Sequence, residues 1–206
     1  DIRDCNKYRK EISQVNFLIH TATAWGDPKR AEDVNIKAFE ELQEMLEEKN
    51  LEKIIYFSTA SILNEKTELM RESLTYGTEY IQTKYRCFER LKESSLAQKT
   101  FVVFPTLVFG GTLNKKSRYP VSYLTSGLKE INKWLWIARF IKINSKFHFI
   151  HANDIAQICG FLIKNYKNEE YQGFKKFILG QSFISIDHAI NILLKMNNIK
   201  RYFSIP

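Results

Sequence analysis

Residues 53–61 read KIIYFSTAS, and residues 79–84 read EYIQTK. Lys53 to Phe57 is a short apolar run of the kind that forms a buried strand. It ends in hydroxyls, Ser58-Thr59-Ala60-Ser61. Tyr80 and Lys84 stand four apart, which places both on one face of a helix. An ammonium beside a phenol favours the phenolate. That draws a group with an ordinary pKa of about 10 towards working pH, where it can give and take protons. Alone, Tyr-x-x-x-Lys is a common pattern and usually a surface helix pair. Its weight comes from the hydroxyl-bearing strand end that precedes it.

Outward from this stretch, strand and helix patterns alternate. Val15 to His20 (VNFLIH) reads as a strand buried on both faces, with His20 packed at its end. Val34, Ala38, Phe39, Leu42, Met45 and Leu46 recur at helical spacing, with Asn50 as the stop. A polar loop covers Asn64 to Tyr76. The helix carrying Tyr80 and Lys84 continues to Ser94 through Phe88 and Leu91. Thr100 to Phe104 (TFVVF) is another buried strand, ended by Pro105. This order predicts an α/β fold with a doubly wound parallel sheet. Beyond Gly110-Gly111 the pattern changes to a basic, aromatic tract, residues 112–146. Then come a strand at Phe147–His151, a helix capped by Asn153 or Asp154, a strand at Phe174–Leu179 and a last helix capped by Ser185. The domains expected are 1–111 and a smaller lobe at 112–206, with 147–165 returning to the first.

Apolar residues make up 44% of the 206 and charged residues 26%, as in ordinary globular proteins. No stretch has the roughly 18 uncharged apolar residues of a membrane span. Three scattered cysteines, Cys5, Cys87 and Cys159, point to a reducing, cytoplasmic setting and away from disulfides or structural zinc. The net charge of +8 reads first as a lysine-rich surface, and second as attraction for phosphate-bearing substrates. No nucleic-acid motif accompanies it. Trp25, Trp134 and Trp136 are expected in the core or lining a pocket. The chain opens on Asp1 with residues that read as a strand end, so it is expected to be a fragment.

Several segments together resemble the extended short-chain dehydrogenase/reductase family, the NAD(P)-dependent nucleotide-sugar epimerases and dehydratases. Asp1-Ile2-Arg3-Asp4 resembles the strand end that frames the adenine. Val15 to Ala24 is similar to the strand passing under the cofactor, and Asp33-Val34-Asn35-Ile36 to a helix start with a structural asparagine. FSTASI at 57–62, FPTLVFG at 104–110 and FIHANDIA at 149–156 resemble three further motifs, in order.

The resemblance implies a Rossmann-like sheet and catalysis by Thr59, Tyr80 and Lys84, with Ser58 and Ser61 as alternatives to Thr59. It implies NAD or NADP held by Asp1, Ile2, Thr21, Ala22, Thr23, Asn35, Tyr80, Lys84, Pro105 and Val108, and no metal. Tyr80 would exchange a proton with the substrate, and Lys84 would lower the Tyr80 pKa and bind the nicotinamide ribose. The implied substrate is a nucleotide sugar, with Lys115 to Arg118 as a candidate for its diphosphate. A homodimer is compatible; membrane and nucleic acid are not expected. His151 and Asp154 read as a structural turn rather than an acid–base pair.

The chain also departs from the pattern. It contains no G-x-x-G-x-x-G loop, so the chain is expected to lack the family's first βαβ unit and to bind cofactor poorly. Phe104 stands for Arg, Leu63 for Tyr and Phe88 for Glu. Ala60 and Ser61 replace the Asp-Glu of the 4,6-dehydratases, which leaves an epimerase or a reductase. The rival readings are a non-catalytic binding or regulatory protein with the same fold, and an inactive fragment.

Overall fold

A computed structural model describes residues 1–110, 127, 130 and 132–202. The chain divides into two compact units, one of residues 1–105 and 158–178, the other of 106–157 and 179–206.

The first unit is built on a sheet of β1 (Phe17–His20), β2 (Lys53–Phe57), β3 (Thr100–Pro105) and β7 (Lys175–Leu179), in that order across the sheet. β1 and β3 both run parallel to β2, with Ile19 opposite Ile55 and Ile55 opposite Phe101. β2 and β3 are buried almost throughout because both of their faces are covered. On one face Phe39 and Tyr56 stack at 4.9 Å, and Phe88 lies 5.6 Å from Phe104. On the other, Phe101 meets Phe177 and Tyr171 edge-on, and Phe17 meets Tyr166. The doubly wound reading therefore holds. β1 is the exception to two-sided burial: Leu18 packs on the core and His20 is buried, but Ile19 is 44% exposed. Among the described residues β1 pairs only with β2, so it is an edge strand.

Helices supply one cover. α1 (Arg9–Ile12) is a single turn. α2 (Pro28–Ala31) starts at Asp27, whose carboxylate accepts from Arg30 N at 2.6 Å. It runs into a π-helical segment, Glu32–Lys37, and then α3 (Ala38–Met45). The widened π turn brings three successive residues, Val34, Asn35 and Ile36, into the interior. α4 (Glu72–Tyr76) is a short helix inside the expected polar loop. α5 (Glu79–Glu93) carries the Tyr80–Lys84 pair. Its buried residues, Thr83, Lys84, Tyr85, Cys87, Phe88 and Leu91, follow helical spacing. Arg86 bridges from α5 to Glu32 at 2.6 Å, and Arg90 to Glu40; as surface pairs they add little stability.

The second unit contains β4 (Leu107–Phe109) parallel to β6 (Phe149–His151), and β5 (Lys146–Phe147) antiparallel to β8 (Ile184–Ser185). Gly110, at φ +109°, is where β4 must leave: a Cβ there would lie 2.4 Å from His151 Nε2. The unit also holds α6 (Leu135–Ala138), the start of α7 (Ala152–Asn165) and α8 (Ile186–Met196). Ser185 caps α8 through its hydroxyl, as its sequence predicts. Arg201 ties α8 to the chain before β5, donating to Asp187, Asn191 and the Ile141 carbonyl.

Four expectations are corrected. Residues 2–8 are a 3₁₀ helix, not a strand end; Asp1 caps it, accepting from Arg3 N at 3.1 Å. The helix expected to stop at Asn50 ends at Met45, where Leu46 turns extended. The single strand at 147–151 is two short ones. Trp25, Trp134 and Trp136 are 50–62% exposed and outside the core. Gly111 and the tract Lys115 to Arg118 lie outside the described residues.

Candidate active site

Parallel strands bring their carboxyl ends to one edge of the sheet, and loops leaving that edge are where open α/β sheets hold ligands. Thr21, Ala22 and Thr23 leave β1 there, Ser58 and Thr59 leave β2, and Pro105 closes β3. α5 returns to the same edge and inserts Lys84 beneath it.

Lys84 is 2% exposed, and its Nζ donates to the Phe57 carbonyl at 2.8 Å. The ammonium lies 4.9 Å from the centre of the Tyr56 ring and 6.0 Å from that of Tyr80. Cation–π attraction and one carbonyl only partly replace lost hydration, so burial lowers the Lys84 pKa to about 8. Of the three donors on the ammonium, Phe57 takes one. The other two suit the hydroxyls of a ribose, so this end of the site fits a nicotinamide riboside.

Tyr80 is half-buried. Burial raises its pKa, and the Thr59 hydroxyl beside it pulls the other way. The expected lowering by Lys84 is not met here, because the ammonium sits against the Tyr56 face and the Phe57 carbonyl. Of the three hydroxyls after β2, that of Thr59 faces Tyr80. Thr59 Oγ1 also donates to Ser61 Oγ at 3.3 Å and caps the turn Ala60–Ile62. Ser58 is buried, and its hydroxyl has no partner among the described residues.

Asn35 is 1% exposed, and its amide is saturated by protein. Oδ1 accepts from Ala24 N at 2.7 Å and Thr23 Oγ1 at 3.2 Å. Nδ2 donates to Ala24 O and to Thr83 Oγ1, both at 2.9 Å. Thr83 in turn donates to Tyr80 O at 3.0 Å. Asn35 thus locks the loop after β1 to the helix of Tyr80 rather than offering its amide to a ligand. Thr83 and Tyr56 are missed by motif reading. The signal for both is periodicity: Thr83 falls on the buried face of α5, and Tyr56 on the inner face of β2.

Asp1 and Ile2 stand at the head of the 3₁₀ helix, where Asp1 is exposed and engages Arg3. Val108 lies on β4 in the other unit, opposite Ile150. His151 and Asp154 are not paired: His151 Nδ1 accepts from Asn153 N, and Asp154 accepts from Gln181.

His20 is packed, as its sequence position predicts, 4.2 Å from Phe39 and 5.6 Å from Tyr56. Burial first and the Lys84 charge second push its pKa down to about 3. The unfolded value is about 6.5, so its contribution is complete above that pH and is lost as pH falls towards 3. Unfolding by urea should show about 3 kcal/mol less stability at pH 4 than at pH 6.5 from this residue. His20→Phe should flatten that part of the curve; an unchanged slope would exclude His20 as its source.

The family model described as the NAD-dependent epimerase/dehydratase family matches residues 1–175. The chain belongs to this family. No curated protein matches it. Among solved structures, it is similar to the UDP-glucose 4-epimerase of Stenotrophomonas maltophila, determined with NAD and formylated UDP-arabinopyranose. That match has TM-score 0.73 and 15% identity, over all of this chain and 69% of the other. A second similar structure is RMD of Pseudomonas aeruginosa with NADPH, at TM-score 0.66 and 12% identity over 98% of this chain and 74% of the other. A third is gox2253, at TM-score 0.69 and 18% identity over the whole chain and 62% of that protein. At these identities the likeness carries the Rossmann-like fold. The chain spans about two thirds of the length of those relatives, from 62% to 74%.

Proposed function

We propose that this chain carries the acid–base centre of an NAD- or NADP-dependent sugar-nucleotide epimerase or keto-reductase. The observation that carries the reading is the convergence of Thr59, Tyr80 and a buried, cationic Lys84 at the carboxyl edge of a parallel sheet. The nucleotides and UDP-sugar named with the similar structures support the substrate class. Residues 1–111 would form the cofactor-binding part and the rest mainly the substrate lobe.

A bound nicotinamide would supply the hydride acceptor and donor. Thr59 Oγ1 would hold the substrate oxygen against Tyr80 Oη. Tyr80 would give that oxygen a proton or take one from it. Burial keeps the phenol protonated, which suits the donating direction. Lys84 would bind the ribose through its two remaining donors, and its charge would stabilise the phenolate once formed. Thr21–Thr23 would line the cofactor from β1. Elimination of water needs a second acid–base pair, and Ala60 and Ser61 offer no carboxylate. An epimerase or reductase needs none.

Lys84→Met tests the reading. Titrating with NADH and NADPH by fluorescence should show at least about tenfold weaker binding of the preferred nucleotide, from two lost hydrogen bonds. Turnover of a UDP-sugar should fall by more than binding does. A variant that binds and turns over like the wild type would end the proposal.

A further inference from the structure

The segment after β1, Thr21–Asp27, has no regular structure, yet it is pinned at successive points. Asn35 grips both backbone polar groups of Ala24. Asp27 caps α2. Between these two, Gly26 N donates to Glu79 Oε1 at 2.5 Å. Gly26 sits at φ +85°, a conformation open to glycine, and this turns its N–H towards α5. Glu79 is the first residue of α5 and immediately precedes Tyr80. Nothing in the family pattern or in the acid–base chemistry above uses Glu79.

We infer that Glu79 is a positioning residue: its carboxylate anchors Trp25–Gly26 to the first turn of the Tyr80 helix, and so sets where Thr21–Trp25 lies relative to the Tyr80 hydroxyl. The inference rests on the proposed function for its consequence, since this segment holds three of the residues expected to contact the cofactor. The contact itself stands without it. The anchor complements Asn35. Asn35 reaches α5 through Thr83, one turn further along, so the segment is tied to the helix on both sides of Trp25, which is 50% exposed. A hydrogen bond to a carboxylate is stronger than one to a neutral acceptor, which suits a single bond holding an otherwise irregular turn.

A merely structural role for Glu79 is also conceivable, because an acidic residue in a first turn stabilises its helix through the dipole. Two variants separate the roles. Glu79→Ala removes acceptor and charge; Glu79→Gln removes the charge and keeps an acceptor oxygen. Amide hydrogen exchange is measured on the protein for peptides covering residues 22–28 and 80–93. Glu79→Ala should speed exchange in 22–28 by at least about tenfold, leave 80–93 unchanged, and weaken NADH binding by a similar factor. Glu79→Gln should restore most of both. Unchanged exchange in 22–28, equal effects of Gln and Ala, loosening of 80–93 as well, or unaltered NADH binding with a loosened segment would each overturn the assignment. Where the wild type binds too little NADH to titrate, as expected of a chain with no glycine-rich loop, the exchange of 22–28 alone decides whether Glu79 anchors the segment, and the functional reading is judged separately by the turnover of Tyr80→Phe.

Discussion

Tyr80→Phe is expected to lower nicotinamide-linked turnover by roughly 10²- to 10⁴-fold, the range that a positioned acid–base group contributes. The substitution keeps the ring and removes only Oη. Lys84 is held by the Phe57 carbonyl and the Tyr56 face, neither of which involves Oη, so cofactor binding should change little. The loss should therefore fall on kcat, with KM near the wild-type value. Urea unfolding of the variant should stay within about 1 kcal/mol of wild type, because the phenol is raised by burial and Thr59 provides its compensating contact. Undiminished turnover would remove Tyr80 from the chemistry and leave the fold without its acid–base centre.

Phe88→Glu is expected to destabilise the protein by about 3–5 kcal/mol, the usual cost of leaving a buried charge without a partner. Phe88 is 3% exposed and Phe104 fully buried; their rings are 5.6 Å apart, and Phe174 meets Phe88 at 5.7 Å. These are two of the positions where the sequence departs from the pattern it resembles, Phe88 for Glu and Phe104 for Arg. They are far apart along the chain and touch in the core. A Glu and an Arg at these positions would be opposite charges; the two aromatic rings fill the space without desolvating ions. The double variant Phe88→Glu/Phe104→Arg should accordingly recover at least about 2 kcal/mol relative to the sum of the single changes. A urea-monitored double-mutant cycle reads this coupling. Additive penalties would show that the two positions are independent.

How much of this was legible in the chain depends on the range of the interactions concerned. Lys53–Phe57 and Thr100–Phe104 are recognisable as buried strands because their hydrophobicity is continuous over a length only a strand explains. Tyr80 and Lys84 share a helix face because 3.6 residues make a turn. Ser185, which caps α8, acts within three residues of itself. The start of the chain is not legible in this way, because Ile2–Tyr8 owes its helical turns to the Asp1 cap and to packing on α3, and a motif match weighs neither. The exposure of Ile19 was hidden because β1 has the composition of a central strand but pairs on one side only among the described residues.

By itself, the sequence determined the α/β class, the order of strands and helices in the first unit, and the presence of a hydroxyl, a phenol and an amine in the right succession. These follow from local periodicity and spacing. Tertiary structure alone decided which hydroxyl faces Tyr80, that Lys84 spends its charge on Tyr56 and Phe57, that Asn35 is consumed in pinning a loop, and that Phe88 and Phe104 are one feature. Each of these depends on residues remote in the chain meeting away from water, where a hydrogen bond or an ion's solvation is settled by whichever neighbours the fold supplies.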